Sequence, residues 1–411
     1  MTVGIVGAGV AGLRAAQLLE RAGVEIALFD ARRRIGGRLL TCELPDGTRY
    51  EAGGEWIDAD QKRTLAWLEE IGVRVDSPHQ WPGLVWYEDE LCPENVLWPD
   101  AQQAEQRLYA IVKSDEFAEG HLSDLLDTIA GTPRARWWLE ARIRSDEGED
   151  TNRIGRRSWT RAQSVYADRE AGAMSAHRVE GGWSEALRSA LKSLRANPEL
   201  DLQLKAVEDL GVQVRLEFFG HERLFDRTLL TLPPTVLKEI RFEPESPRQW
   251  GAIQISGMAR AIKVAMFFRR PFWKDRNQSG RLMAPLPFQQ VWDGTMGSTP
   301  VLNAYICGDE AEKVLASADP YRLLIQALCQ MWPEAAAHYI DGCIHDWVND
   351  TFALGAFSYL SAEAALDMPV RLGAAHGRVH FAGEHTAIEW TGFIEGALES
   401  AERAVKEILD A

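Results

Sequence analysis

The chain has 411 residues, 46% of them hydrophobic and 26% charged, which is long enough for two or more domains. Its net charge of -16 argues against a nucleic-acid binder, which is basic or carries a basic stripe, and leaves a surface that keeps the protein soluble or concentrates cationic substrates. Five cysteines, with no CxxC pair among them, argue against both a disulfide framework and a zinc site.

No apolar stretch approaches the roughly 18 residues of a transmembrane helix. The start, MTVGIVGAGVAG, moves straight into a strand and a glycine loop, so it reads as the first element of the fold rather than a signal peptide. A cytoplasmic protein without a membrane partner is the expectation.

The first thirty residues spell strand, turn, helix and strand: a buried strand over Val3–Val6, a helix over Ala11–Arg21 stopped by Gly23, and a second buried strand over Val24–Phe29. Gly7, Gly9 and Gly12 form G-x-G-x-x-G between the first strand and the helix. The first glycine permits the tight turn, the second lets the backbone approach a pyrophosphate, and the third lets helix and strand pack closely. The helix N-terminus offers N–H groups to the phosphates. Asp30, closing the second strand, suits the hydroxyls of an unphosphorylated ribose, as in NAD or FAD. Arg32 and Arg33 follow, and solvated surface charge is the reading preferred for them over a 2′-phosphate site.

Residues 60–175 read as polar and helical, and Glu140–Asp168 as exposed helices with a loop. Leu200–Pro234 alternates like a β-meander, Ala259–Trp273 holds a strand ended by Pro271, and Leu315–Trp332 reads as one amphipathic helix. Arg378–Leu409 gives strand, loop and a terminal helix starting near Glu395, where the acid would serve its own helix N-terminus, a ligand site, or both. Lys263 lies in the apolar run RAIKVAMFF, and the pattern alone leaves it balanced between an outward-facing lysine and one turned to a partner or cavity. No internal repeat or low-complexity linker is present, so domains are expected to be discontinuous.

RRRIGGRLLT and YEAGGEWID, followed by HRVEGGWSEAL, LLTLPPTVLKEIRFEP and FAGEHTAIEWTGFIEGALESAERA, resemble the flavin-dependent amine oxidase family, the group of monoamine and polyamine oxidases. The resemblance runs nearly end to end and is weakest over residues 80–175. It implies an α/β chain: a Rossmann-like FAD-binding domain of the glutathione-reductase type (1–78, 176–248 and 374–411) with an interleaved α+β substrate domain (79–175 and 249–373). It also implies FAD contacts at Gly36, Gly37, Arg38, Gly53, Gly54, Glu55, Trp56, Val207, Gly383, Glu384, Gly392, Phe393 and Ile394, beside Gly7, Gly9, Gly12 and Asp30.

For the chemistry the resemblance implies Lys263, bridged by water to the flavin, Trp347 beside it, and an aromatic cage at Phe357 and Phe393. Both cage positions lack the hydroxyl of the family's tyrosines. Ala356 occupies the place where some members carry a flavin-linking cysteine, so the FAD is expected to be noncovalent. The expected reaction takes an amine to an imine by hydride transfer, with reoxidation by molecular oxygen giving hydrogen peroxide. A homodimer stays open, and no metal is expected.

Competing readings are an L-amino acid oxidase using Arg142, Arg144 or Arg260 for the carboxylate, a desaturase or protoporphyrinogen oxidase-like flavoprotein, and a flavin-binding scaffold without turnover. Trp81, Trp86, Tyr87, Glu88, Asp89 and Glu90 form an aromatic and acidic cluster read as a packed loop in preference to a substrate-attracting patch.

Overall fold

The computed structural model describes residues 1–77, 82–114, 118–165, 174–245 and 247–411. Trp81 and residues 166–168 of the charged stretch lie outside them.

A four-stranded parallel sheet forms in the order Glu25–Phe29, Thr2–Val6, Arg227–Leu230, Val379–Phe381. Its strands come from the start, middle and end of the chain, so no contiguous segment builds it. The helices Val10–Arg21 and Ile394–Asp410 pack on each other against this sheet, burying Leu13, Ala16 and Leu19 beside Leu398, Ala401 and Val405. Each fully buried leucine of such a core contributes about 1.5–3 kcal/mol.

The alternating segment after Leu200 does form a meander, Leu204–Asp209, Val214–Phe218 and His221–Phe225, joined at its edge by Arg241–Glu243. Arg227–Leu230, expected to continue it, crosses into the parallel sheet instead, because Thr228, Leu229 and Leu230 are all buried and suit a strand covered on both faces.

A seven-stranded sheet runs in the order Tyr339–Asp346, Ala261–Phe268, Val301–Cys307, Gln290–Asp293, Leu282–Met283, Leu84–Tyr87, Glu90–Pro93. Every residue of Ala261–Phe268 is buried. The last two strands are a hairpin inside the region read as helical. Its turn residues Glu88 and Asp89 take positive φ, Tyr87 packs on Trp98 and Trp137, and Glu90 pairs with Arg134. The described aromatics of the cluster, Trp86 and Tyr87, are therefore packed, while Glu88, Asp89 and Glu90 stay exposed.

Helices Pro99–Lys113, Leu122–Ile129, Pro133–Glu147 and Arg156–Val165 gather beside this sheet around Leu122, Leu126, Trp138 and Ile154. The charged stretch is thus not an exposed surface. Ala141, Ile143, Glu149, Thr151, Ser158 and Trp159 are buried, with Glu149 paired to Arg260. The helix expected over Leu315–Trp332 forms as Pro320–Met331, and Leu315 instead ends a separate helix, Asp309–Leu315. Asp319 caps Pro320–Met331 by accepting the Arg322 N–H at 2.9 Å, with Pro320 at its first position. Among the described residues no helix is long and apolar enough to cross a membrane.

Candidate functional site

The strand Thr2–Val6 delivers the chain into Gly7, whose φ of +105 is open to glycine. Gly9 caps the helix Val10–Arg21. A β-carbon on Gly12 would stand 1.8 Å from the Gly7 carbonyl oxygen, so only glycine lets the helix close on the strand. The acid that ends the neighbouring strand, Asp30, accepts the Ala8 N–H at 2.8 Å on one oxygen and the Arg32 N–H at 2.8 Å on the other. Burial pushes its carboxyl up, against those N–H groups and the nearby arginines.

The three arginines after Asp30 have three different jobs. Arg33 is on the surface, paired with Asp201. Arg32 is not the surface charge expected: its side chain is 13% exposed and grips Asp350 through both terminal nitrogens, at 2.9 and 2.5 Å. Arg34 donates to the carbonyls of Ile35 and Gly37 and so braces the Gly36–Gly37 turn.

Arg38 continues from that turn and donates to Glu384 at 2.6 Å and to the Ala356 carbonyl at 3.0 Å. Glu384 is buried and also accepts the N–H and hydroxyl of Ser358 and the Gly392 N–H. Burial raises its carboxyl, but Arg38 and His385 outweigh this and hold it below the usual range.

Next in space are Gly53 to Trp56. A β-carbon on Gly53 would meet the Arg38 carbonyl at 2.1 Å, which locks the two glycine segments together. Lys263, from the buried strand, donates to the Gly53 carbonyl at 3.1 Å and to Glu55 at 2.6 Å. The same Glu55 oxygen accepts Trp292 Nε1 at 3.0 Å and Asn303 Nδ2 at 3.1 Å, while its other oxygen accepts Arg178 at 3.2 Å. Arg178 also lies over the Trp56 ring, and the Lys263 ammonium over Trp292. Trp347 donates its indole N–H to the Ala52 carbonyl at 2.9 Å, with His345 against its ring.

One cavity of 1940 Å³ is lined in turn by Gly7, Gly9 and Asp30, by Arg38 and Glu384, and by Lys263, Trp347, Phe357 and Phe393. Ligand pockets ordinarily span roughly 300–1,000 Å³, so this one holds a dinucleotide together with a second small molecule. The features along it fit FAD: a carboxylate placed for ribose hydroxyls, glycine backbone and a helix N-terminus for the pyrophosphate, and a broad apolar end for the ring system.

The family model for flavin containing amine oxidoreductase matches residues 10–409. The chain belongs to this family. Curated relatives include "Amine oxidase [flavin-containing] A" of Sus scrofa, 23% identical over 449 residues covering 99% of this chain and 84% of the relative, and "Amine oxidase [flavin-containing] B" of Canis lupus familiaris, 22% identical over 450 residues covering 99% and 86%. Among solved structures, a putrescine oxidase bound to putrescine superposes with a TM-score of 0.91 at 19% identity over 100% of both chains. The cyclohexylamine oxidase of Brevibacterium oxydans IH-35A gives 0.91 at 20% identity over 100% of this chain and 98% of its own.

In this flavin amine oxidoreductase all but two of the expected site residues line the cavity. Gly12 acts one layer behind it, as described above. Val207 is a correction: it is buried in the core beneath the meander, and the cavity is lined by Leu202 to Lys205, at the entry of the same strand. Ala206 and Val207, further along that strand, are buried in the core, while Lys205 is exposed.

Of the three arginines considered for a carboxylate, only Arg142 lines the cavity. Arg144 is held by Asp150 and the Cys307 carbonyl, and Arg260 by Glu149, Asp150, Asp309 and Glu312. Glu395, expected at its own helix or the flavin, accepts the N–H groups of Arg63 and Thr64 and so caps the helix Lys62–Glu70.

At the open end, Phe357 and Phe393 line the cavity, and Phe393 meets Trp390 edge-on at 5.5 Å. A β-carbon on Gly148 would stand 2.8 Å from both the Phe357 Cζ and the Tyr305 hydroxyl. Glu147 also lines this end, and burial together with Asp146 raises its carboxyl to about 7.

Reading the sequence did not single out Arg178, Trp292, Asn303 or Glu147. Arg178 lies in the HRVEGGW segment and was open to notice. Trp292 and Asn303 are single polar or aromatic residues in short strands, and nothing in their spacing marks them.

Proposed function

We propose that this FAD-dependent amine oxidoreductase converts a small amine carrying an apolar substituent to its imine, with the amine held between Phe357 and Phe393. The observation that carries this reading is the cavity itself, which Lys263, Trp347 and these two rings line together with the glycine segments.

Bound FAD supplies the two-electron acceptor for the C–H bond of the amine. Everything else is the work of the chain. Asp30 would hold the ribose, Gly7 and Gly9 the pyrophosphate, and Arg38, fixed by Glu384, the flavin side of it. Phe357 and Phe393 give the amine a dry, aromatic setting that disfavours the ammonium form and so leaves the nitrogen lone pair free for oxidation. The rings offer no hydroxyl, so orientation comes from packing. Lys263, tied to Gly53 and Glu55, keeps an ammonium on the cavity wall, where it would order a water beside the flavin.

The FAD is read as noncovalent because Ala356 offers no nucleophile. Molecular oxygen as the oxidant, a cytoplasmic location and a homodimer belong to the same reading. So does a division into a glutathione-reductase-type FAD domain (1–78, 176–248 and 374–411) and a substrate domain (79–175 and 249–373). It is supported by the way the parallel sheet and meander draw their strands from the former, and the seven-stranded sheet from the latter. The amino acid oxidase alternative retains Arg142 alone of its three arginines, and Arg142 already faces Glu105 at 3.6 Å.

The test is an anaerobic screen of aliphatic and aromatic amines and of amino acids. Bleaching of the oxidised-flavin absorbance by apolar amines is expected. Reduction by amino acids but not by the corresponding amines would overturn the substrate class.

A further inference from the structure

The ion pair between Lys263 and Glu55 is almost completely shut off from solvent, with side chains 7% and 3% exposed. Taking two charges out of water costs several kcal/mol each, and the Coulomb attraction recovers this only with good geometry and further hydrogen bonds. Glu55 has them. Four donors converge on it, from four separate segments of the chain: Lys263, Arg178, Trp292 and Asn303. Burial acts to raise the Glu55 carboxyl, but Lys263 and Arg178 reverse this and hold it ionised, below the usual range.

So much convergence is more than is needed to bury one lysine. A lysine on this strand could have been satisfied by Gly53 and water alone. The arrangement places one negative charge between two cations, and all three side chains stand at the same wall: Lys263 and Glu55 line the cavity directly, and Arg178 covers Trp56, which does too. Further out, Glu51 interacts with both Lys263 and Glu55, and His345 lies across the strand pair from Lys263.

We propose that Glu55 is a positioning residue for the redox step: it fixes the Lys263 ammonium at the flavin wall and, with Arg178, sets the local charge that tunes the reduction potential of the bound flavin. This rests on the reading that FAD occupies the cavity. In a low-dielectric site a nearby cation favours the more negative, reduced cofactor and a nearby anion opposes it. The three side chains therefore have opposed and separable effects. Glu55→Gln removes the anion and raises the potential. Lys263→Met and Arg178→Met each remove a cation and lower it. The double variant Lys263→Met/Glu55→Gln removes a neutral pair and returns the potential towards that of the wild type.

The measurement is the midpoint potential of the purified holoenzyme, by anaerobic titration against reference dyes, after FAD content has been read from its visible absorbance. Shifts of opposite sign for Glu55→Gln and Lys263→Met, cancelling in the double variant, are expected. A side chain with only a structural role would move all variants the same way or not at all, and either outcome overturns the proposal. If Glu55→Gln does not fold, Lys263→Met against the double variant makes the same comparison, since adding Glu55→Gln must then raise the potential. Absence of FAD from the wild type would defeat the flavin reading itself. Potentials that fail to split in FAD-loaded protein would defeat this inference alone.

Discussion

Arg38 and Glu384, 346 positions apart in sequence, meet at 2.6 Å and fasten the first glycine segments to the last flavin motif. The guanidinium is 23% exposed and the carboxylate 7%, so this is a contact in which solvent screens little. Removing one partner of such a pair leaves the other buried and uncompensated, at a cost of about 3–5 kcal/mol. Arg38→Met is therefore expected to lower the melting temperature and weaken FAD retention at least tenfold, measured by flavin release on dilution. Arg38→Lys should not restore it, because one ammonium cannot reproduce the planar reach to both Glu384 and the Ala356 carbonyl.

Arg32 and Arg33 make a paired test. Arg33 is 86% exposed and its contact with Asp201 is open to water, so Arg33→Ala should change stability by no more than about 0.5 kcal/mol. Arg32→Ala strands Asp350, which is 14% exposed, and should cost a few kcal/mol. Denaturant midpoints of the two variants decide it, and equal effects would contradict the burial described for Arg32.

Glu51 is buried, and burial raises its carboxyl to about 7 from 4.5 despite the Trp183 N–H it accepts. Its second oxygen has no hydrogen-bond partner among the described residues, as suits a carboxylic acid. Between pH 4.5 and about 7 the folded protein keeps a proton that the unfolded chain has released, so this group's contribution is complete below that window and is lost as pH rises through it. The loss is on the order of 3 kcal/mol. Glu51→Gln should flatten this fall: the difference in melting temperature between variant and wild type moves in favour of the variant as pH is raised, whatever its absolute offset.

At the aromatic chamber, Phe357→Ala and Phe393→Ala should each reduce kcat/KM for an apolar amine by about tenfold or more, through lost ring packing. Gly148 tests the same chamber from behind: Gly148→Ala sets a β-carbon 2.8 Å from the Phe357 Cζ at a φ of +68 and should cost about 1–3 kcal/mol of stability. Thermal melts beside steady-state kinetics check it.

Much of this site was legible because it depends on residues that have one physical use. Glycines at 7, 9, 12, 36, 37 and 53 mark backbone approach, and Asp30 at a strand end marks a ribose. The parallel pair at the N-terminus followed from periodicity. Lys263 was different. In an apolar strand it could face either way, and what settles it is Glu55, which lies 208 positions earlier in sequence. Val207 failed by a shift along its own strand, since a valine in an alternating segment does not say which residue meets the cavity. In the stretch after Glu140 charge does not mean exposure, because Glu149 and Arg260 satisfy each other inside. The Glu395 cap on Lys62–Glu70 could not be read, because local spacing carries no information about a partner from the other end of the chain.

That cap bears on the order in which the molecule can be made. On a ribosome, the glycine loop, Asp30 and the helix Lys62–Glu70 emerge first. The strand Val379–Phe381 that edges their sheet, Glu384 that anchors Arg38, and Glu395 that closes the helix N-terminus all emerge long after them. A nascent chain halted before residue 379 lacks all three and should not retain FAD. Capture of the cofactor thus waits on residues beyond 379, and the helix Ile394–Asp410 acts as a latch on segments made long before it.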